Sequence, residues 1–209
     1  MEGVNTGVQL EKVQVGGKVN LSKNSTDGGE VLKQVLVGLG WDVNASSEGV
    51  DFDADVSIVF TDKEEKAIPG GLLFYNTPKT GGKLLVGDYA EHTGDNLTGE
   101  GEGDDEAVIL SLDKMPPEID KAIVYVTIDR AQQRNQNFGM LQNSFIRVAN
   151  NETQSELAKM ELDFDADQAT SLRFGTIVRR GTDWYFSAEK IAIDGGLSGI
   201  CAKHGIATS

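Results

Sequence analysis

Two stretches of the chain concentrate carboxylates. Positions 42–55 carry Asp42, Glu48, Asp51, Asp53 and Asp55 with no Lys or Arg between them. Positions 88–106 carry Asp88, Glu91, Asp95, Glu100, Glu102, Asp104, Asp105 and Glu106, again with no basic residue. In the first, Asp51-Phe52-Asp53-Ala54-Asp55-Val56 alternates strictly. In a strand that pattern puts the three aspartates on one face and Phe52, Ala54 and Val56 on the other. Same-face neighbours are then about 6.6 Å apart, and a row of like charges needs a cation or protons to neutralise it when it is partly buried. A merely solvated face would mix in Lys, Thr or Ser. The Asp-x-Asp-x-Asp spacing also opens an EF-hand loop. Val56 stands where that loop needs Gly, however, and Asp62 where it needs Glu, so the EF-hand reading fails.

The second stretch, Gly94-Asp95-Asn96-Leu97-Thr98-Gly99-Glu100-Gly101-Glu102-Gly103-Asp104-Asp105-Glu106, interleaves glycines with oxygen-bearing side chains. Gly99, Gly101 and Gly103 let the backbone turn tightly and aim carbonyl oxygens inward, and Asp95, Asn96, Asp104, Asp105 and Glu106 add side-chain oxygens. Ca²⁺ takes about six to eight oxygens at about 2.3–2.6 Å in flexible geometry, which a mixed carboxylate–carbonyl loop supplies; Mg²⁺, which keeps its waters, ranks second. A phosphate-cradling glycine loop would need a Lys or Arg that is absent here. The bland alternative is a flexible acidic surface loop. Two acidic segments in one chain favour the metal.

Other chemistry finds little support. His92, His204 and the single Cys201 are too few for an ordinary zinc site. Gly196-Leu197-Ser198-Gly199-Ile200 lacks the final glycine of a nucleophile elbow, and Cys201 with His204 at i,i+3 reads as structural rather than as a nucleophile pair. Paired carboxylates also serve glycoside hydrolysis, but aromatic residues make up only 7% of the chain, with no cluster near the acids.

The elements that must carry these residues read as β. Val31–Leu39, Asp51–Phe60, Leu72–Asn76, Ala107–Leu112, Lys121–Asp129, Ser144–Val148, Leu172–Val178 and Trp184–Ala188 are rich in β-branched and aromatic residues, with turn residues between them. That is the pattern of a mainly β, two-sheet sandwich. Helical periodicity is expected over Leu197–His204, after Gly195-Gly196, and a turn of helix around Asn151–Glu156. Pro116-Pro117 breaks two strands. A faint echo links Val35–Gly40, ending at Trp41-Asp42 and followed by Asp51–Phe60, with Ile123–Ile128, ending at Asp129 and followed by Asn143–Val148, and reads as sandwich rhythm rather than duplication. No linker forces a division, so one domain over 1–209 is expected.

Thirty-three acids against 19 bases give a formal net charge of −14, and nearly all the excess falls in the two acidic stretches. A nucleic-acid partner is disfavoured, because phosphate binding needs clustered Lys and Arg. A lone cysteine excludes an intrachain disulfide. No basic-then-apolar leader opens the chain and no apolar run reaches membrane-spanning length, so a cytoplasmic, non-transmembrane protein is expected.

These motifs resemble the TerD family, the tellurite-resistance and general-stress group of Ca²⁺-binding proteins. The resemblance rests on Val37-Gly38-Leu39-Gly40-Trp41-Asp42, Asp51-Phe52-Asp53-Ala54-Asp55, Phe74-Tyr75-Asn76 and the whole of His92–Glu106. Downstream it continues through Gln136-Asn137-Phe138-Gly139, Asn143-Ser144-Phe145-Ile146-Arg147 and Gly195-Gly196-Leu197, covering roughly residues 8 to 207. It implies a β-sandwich with short helices, two adjacent Ca²⁺ sites and no established catalytic activity. It also implies a stress-response role within protein complexes near the inner membrane. Carried over by position, the metal ligands are Asp42, Asp51, Asp53, Asp55, Asp95, Asn96, Gly99, Gly101, Asp104, Asp105 and Glu106. The chain departs from the family at Thr127-Ile128-Asp129-Arg130-Ala131, where Thr-Ile-His-Asp-Ala is usual, and at Ala54, where Leu is usual. Three functions stand in order: a non-enzymatic Ca²⁺-binding stress module presenting a partner surface, a Ca²⁺-dependent reader of anionic lipid or carbohydrate, and a metal-assisted hydrolase.

Overall fold

A computed structural model describes residues 15–22, 32–42, 51–97, 103–141, 143–162 and 168–207. Among the described residues thirteen strands form two antiparallel sheets. In chain order they are β1 (Lys18–Asn20), β2 (Gln34–Gly40), β3 (Ala54–Thr61), β4 (Ala67–Leu73), β5 (Lys79–Thr80), β6 (Lys83–Val86) and β7 (Ala90–His92). They continue with β8 (Glu106–Ser111), β9 (Lys121–Ile128), β10 (Phe145–Asn150), β11 (Glu156–Glu161), β12 (Ser171–Arg180) and β13 (Asp183–Ala192). The first sheet runs β1-β13-β12-β9-β3-β4 and the second β11-β10-β2-β8-β7-β6-β5. Helix α1 (Ala131–Arg134) follows β9, and α2 (Gly196–Lys203) follows β13. Among the described residues no helix is long and apolar enough to cross a membrane.

The core lies between the sheets. Ala54, Val56, Ile58 and Phe60 of β3 and Ala122, Val124, Val126 and Ile128 of β9 meet Val35, Val37 and Leu39 of β2 within one buried cluster. The opposite face of β3 and β9 is covered too: Val59, Ile123 and Tyr125 pack with Ile200 of α2. Burial on both faces is why β3 and β9 read as near-continuous apolar runs. His204 fastens the end of α2, with Nδ1 2.6 Å from the Glu65 carbonyl and Nε2 2.6 Å from the Tyr125 hydroxyl. A carbonyl only accepts, so Nδ1 carries the proton and Nε2 accepts from Tyr125.

Most expected strands are present with shifted ends. β3 begins at Ala54 rather than Asp51, and the strand expected at Leu72–Asn76 is β4, ending at Leu73. The helical turn expected around Asn151–Glu156 is instead the hairpin turn between β10 and β11. There Asn150 Oδ1 accepts from the amides of Glu152 and Thr153, an Asx arrangement that supplies a turn without a helix. The echoed halves have a spatial counterpart: β2 pairs with β10 and β9 with β3, so each half's first strand lies against the other half's second.

Candidate functional site

The carboxylates gather where the ends of the two sheets meet. β4 pairs with β3 only from Ile58 onward, which leaves the start of β3 with an open edge. Glu106, the first residue of β8 in the other sheet, reaches across that gap and accepts the Val56 amide through Oε2 at 3.0 Å. Its Oε1 accepts the Asn96 amide at 3.3 Å, which draws the 93–97 segment inward. One carboxylate oxygen from each of Asp53, Asp55 and Asp95 then lies within 4.8 Å of the others. The cluster therefore takes Asp53 and Asp55 from one sheet and Asp95, with Glu106 beside it, from the other.

Asp55 is 3% exposed, Asp53 7% and Glu106 1%. Burial is the main force raising all three carboxyl pKa values, and for Asp53 and Asp55 repulsion from neighbouring carboxylates adds to it. Asp55 is pushed up to about 9, first by desolvation and then by Glu106 and Asp53. Asp53 is pushed up to about 6 by desolvation, Asp129, Asp95 and Glu106, against which Arg134 pulls down. Glu106 is raised by desolvation and partly relieved by His92 and by the amides it accepts. Compensation is thin. Arg134 Nη1 stands 3.8 Å from Asp53 Oδ2 while its Nη2 serves Asp129 at 3.5 Å, and the buried Asp53 Oδ1 has no hydrogen-bond partner among the described residues. His92 Nδ1 accepts the Gly94 amide at 3.2 Å, so the neutral ring carries its proton on Nε2, 3.6 Å from Glu106 Oε2.

A second acidic corner lies at the end of β2, and donors hold it together. Arg147 of β10 grips Asp104 with Nε at 2.8 Å and Nη2 at 2.8 Å. A Cβ at Gly38 would run into that Asp104 carboxylate, so glycine at 38 makes room for the pair. Asp105 accepts the Trp41 amide at 2.9 Å and Asn96 Nδ2 at 3.1 Å. Asp42 accepts Asn143 Nδ2 at 2.5 Å.

Of the residues expected from sequence, the fold brings Asp53, Asp55, Asp95 and Glu106 together, with Asn96 bonded to both Glu106 and Asp105. Asp42, Asp104 and Asp105 form the second corner. Asp51 is exposed and contributes its carbonyl to Gln136 Nε2 at 3.3 Å, outside both groups. Gly99 and Gly101 lie outside the described residues. Sequence reasoning did not select Asp129, whose amide donates to the Asp53 carbonyl at 2.8 Å and whose charge raises Asp53. It also passed over Tyr75, whose hydroxyl pKa is raised by burial and then by Asp55, Asp129, Asp95 and Asp53. The signal for Asp129 was present, as the acid that ends β9 in the echo of Asp42 ending β2.

The TerD domain model matches residues 8–204. The chain is 41% identical over 195 residues to the Tellurium resistance protein TerD of Alcaligenes sp, covering 93% of this chain and 96% of that one. It is 42% identical over 192 residues to General stress protein 16U of Bacillus subtilis, covering 91% and 95%. A solved structure of a homologue of telluride resistance protein (TerD) from Streptomyces coelicolor A3(2) superposes with a TM-score of 0.65 at 20% identity, over 82% of this chain and 95% of that one. Matched along nearly its whole length, with a sandwich of the same fold, the chain belongs to the TerD family.

Proposed function

We propose that the chain is a non-enzymatic stress-response module whose Asp53/Asp55/Asp95 cluster, with Glu106 behind it, holds Ca²⁺. The observation that carries this is the carboxylate cluster itself, with Asp53 and Asp55 buried, Asp95 exposed at its mouth, and Asp53 Oδ1 unpartnered among the described residues. Buried charges persist when they are paired or coordinate metal. An all-oxygen site with several carboxylates suits a hard cation, and Ca²⁺, which takes about six to eight oxygens in flexible geometry, ranks above Mg²⁺, which keeps its waters. Bound metal supplies positive charge and coordination to these oxygens; the chain supplies their placement from two sheets.

A second ion is assigned to the Asp42, Asp104 and Asp105 corner. It has to draw Asp104 away from Arg147, so this corner fills after the first. Asn96, bonded to acids of both corners, couples the two. The names of the relatives, a tellurium resistance protein and a general stress protein, support a role in stress resistance, exercised through protein partners at the cytoplasmic side of the membrane.

Calorimetric titration of chelator-stripped protein with Ca²⁺ and then Mg²⁺, with a thermal melt at each endpoint, tests the assignment. A tight Ca²⁺-selective event with a raised Tm is expected. Saturation at a hundredfold excess over Kd stabilises by about 2.7 kcal/mol per site. Weak, unselective binding with no shift in Tm would refute it.

A further inference from the structure

Beside the acidic cluster lies a cavity of ≈ 400 Å³ whose two walls have opposite character. One wall carries Asp55, Thr127, Asp129 and Tyr75; the other is the first turn of α2, from Gly195 to Ser198. Gly195 and Gly196 both have positive φ, 84° and 59°, a conformation open to glycine at little cost. They swing the chain into the helix with no side chain capping it. The first bond closing the helix joins the Gly199 amide to the Gly195 carbonyl at 3.0 Å. The amides of Gly196, Leu197 and Ser198 therefore have no intrahelical acceptor, and none is met among the described residues.

Three free amides at the positive end of a helix attract an oxyanion. Alone they would prove nothing. The independent observation is Asp55, which opens into the same cavity although it is 3% exposed, and which meets no hydrogen-bond donor among the described residues. A buried carboxylate facing an anion-binding turn across one cavity calls for a ligand pair, a cation on one side and an anion on the other. We propose that this cavity binds a small phosphate-bearing molecule, its phosphate capped by the amides of Gly196, Leu197 and Ser198 and bridging to the cation held at Asp55. This deepens the Ca²⁺ reading and rests on it. A phosphate monoester carries enough charge to serve both walls, and the cavity has room for more than the bare ion. Arg130, at the rim, is held to Asp129 through Nε at 2.7 Å, while Thr127 and Thr170 offer hydroxyls to the remainder of the ligand. Asp129 is paired with Arg130 and Arg134, so without a cation at Asp55 nothing ties a phosphate to that wall, and binding of phosphate is conditional on the cation.

The test titrates the full chain with phenyl phosphate in Ca²⁺ and in chelator, and follows backbone amide resonances. The expected result is saturable binding in Ca²⁺, at least about tenfold weaker without it, with the largest amide shifts at residues 196–198. Leu197→Pro removes one free donor in the first turn of the helix, where the amide has no intrahelical acceptor to lose. It should weaken phenyl phosphate about tenfold and leave Ca²⁺ affinity in phosphate-free buffer unchanged. If that variant fails to fold, the wild-type amide shifts decide. Ca²⁺ binding without phenyl phosphate binding would overturn this inference alone, as would equal phosphate affinity in chelator. Absence of Ca²⁺ binding would overturn both readings.

Discussion

The two acidic corners are built from similar parts and differ in how their charge is met. At the end of β2, Asp104 has Arg147, Asp105 has the Trp41 amide and Asn96, and Asp42 has Asn143. At the start of β3, Asp53 and Asp55 are more deeply buried and have only Arg134, at 3.8 Å, and their own like-charged neighbours. Donors made permanent by the chain give a corner that is complete as it stands. A corner with its donors withheld stores unfavourable charge, which a cation from solution can release. What distinguishes the two corners is the counter-charge missing from the first, since carboxylates are plentiful in both.

Asp55→Asn should break the contrast most sharply. It removes the cost of protonating a carboxyl that burial will not leave charged, so the chelator-stripped protein should melt higher, while Ca²⁺ affinity falls by roughly a hundredfold on losing a ligand of this kind. Thermal melts and calorimetry read both; a variant that is less stable and still binds Ca²⁺ as tightly would erase the distinction.

pH offers a second route. Asp53 and Asp55 bind protons more tightly folded than unfolded, from a starting value of 3.8 to about 6 and about 9. Their contribution to stability is therefore full below the unfolded pKa and is lost as pH climbs through those two values. The groups facing them are Glu106, Asp95, Asp129 and Arg134, and none cancels that sign. Melting temperature of the metal-free protein should fall between pH 5 and pH 9, about that window, and saturating Ca²⁺ should flatten the profile. Glu65, held at about 2 chiefly by its bonds to Arg173, works in the opposite sense and costs stability only in strong acid.

Arg147→Ala sharpens the comparison from the other side. Leaving Asp104 without its partner should cost about 1–2 kcal/mol in a chemical denaturation experiment, between the values for exposed and buried pairs. The same change should strengthen the weaker of the two Ca²⁺ events several-fold in calorimetry, because the second corner then resembles the first. Asn143→Ala is the smallest perturbation. Its bond to Asp42 is exposed, and the loss should stay within about 0.5 kcal/mol.

The sequence disclosed the central strands and the α2 helix because burial writes itself into composition: Val-Ser-Ile-Val-Phe in β3 and Ala-Ile-Val-Tyr-Val in β9 leave little else to be. It concealed β5, β7 and β11. Lys79-Thr80 and Ala90-Glu91-His92 are too short and polar to show a period, and Glu156-Leu157-Ala158-Lys159-Met160 reads as helix former by propensity, overridden by pairing with β10. The site was legible as a list of acids but not as an arrangement. Nothing in local spacing tells that Asp95 joins Asp53 across two sheets while Asp104, in the same loop, turns to an arginine 43 positions away. The alternation from Asp51 to Asp55 identified two of the three residues that share a fate; Asp51 lies further ahead of β3 than Asp53 and stays exposed.

The reach of Glu106 from β8 to the Val56 amide has a kinetic consequence. It joins residues 50 positions apart in the chain, a contact that forms only after both sheets have docked, late on the way to the native state. An ion seated among Asp53, Asp55 and Asp95 draws on the same late geometry. Its binding should then slow unfolding and leave the folding rate nearly unchanged, lengthening the lifetime of the native sandwich like a bolt slid home after the door is shut.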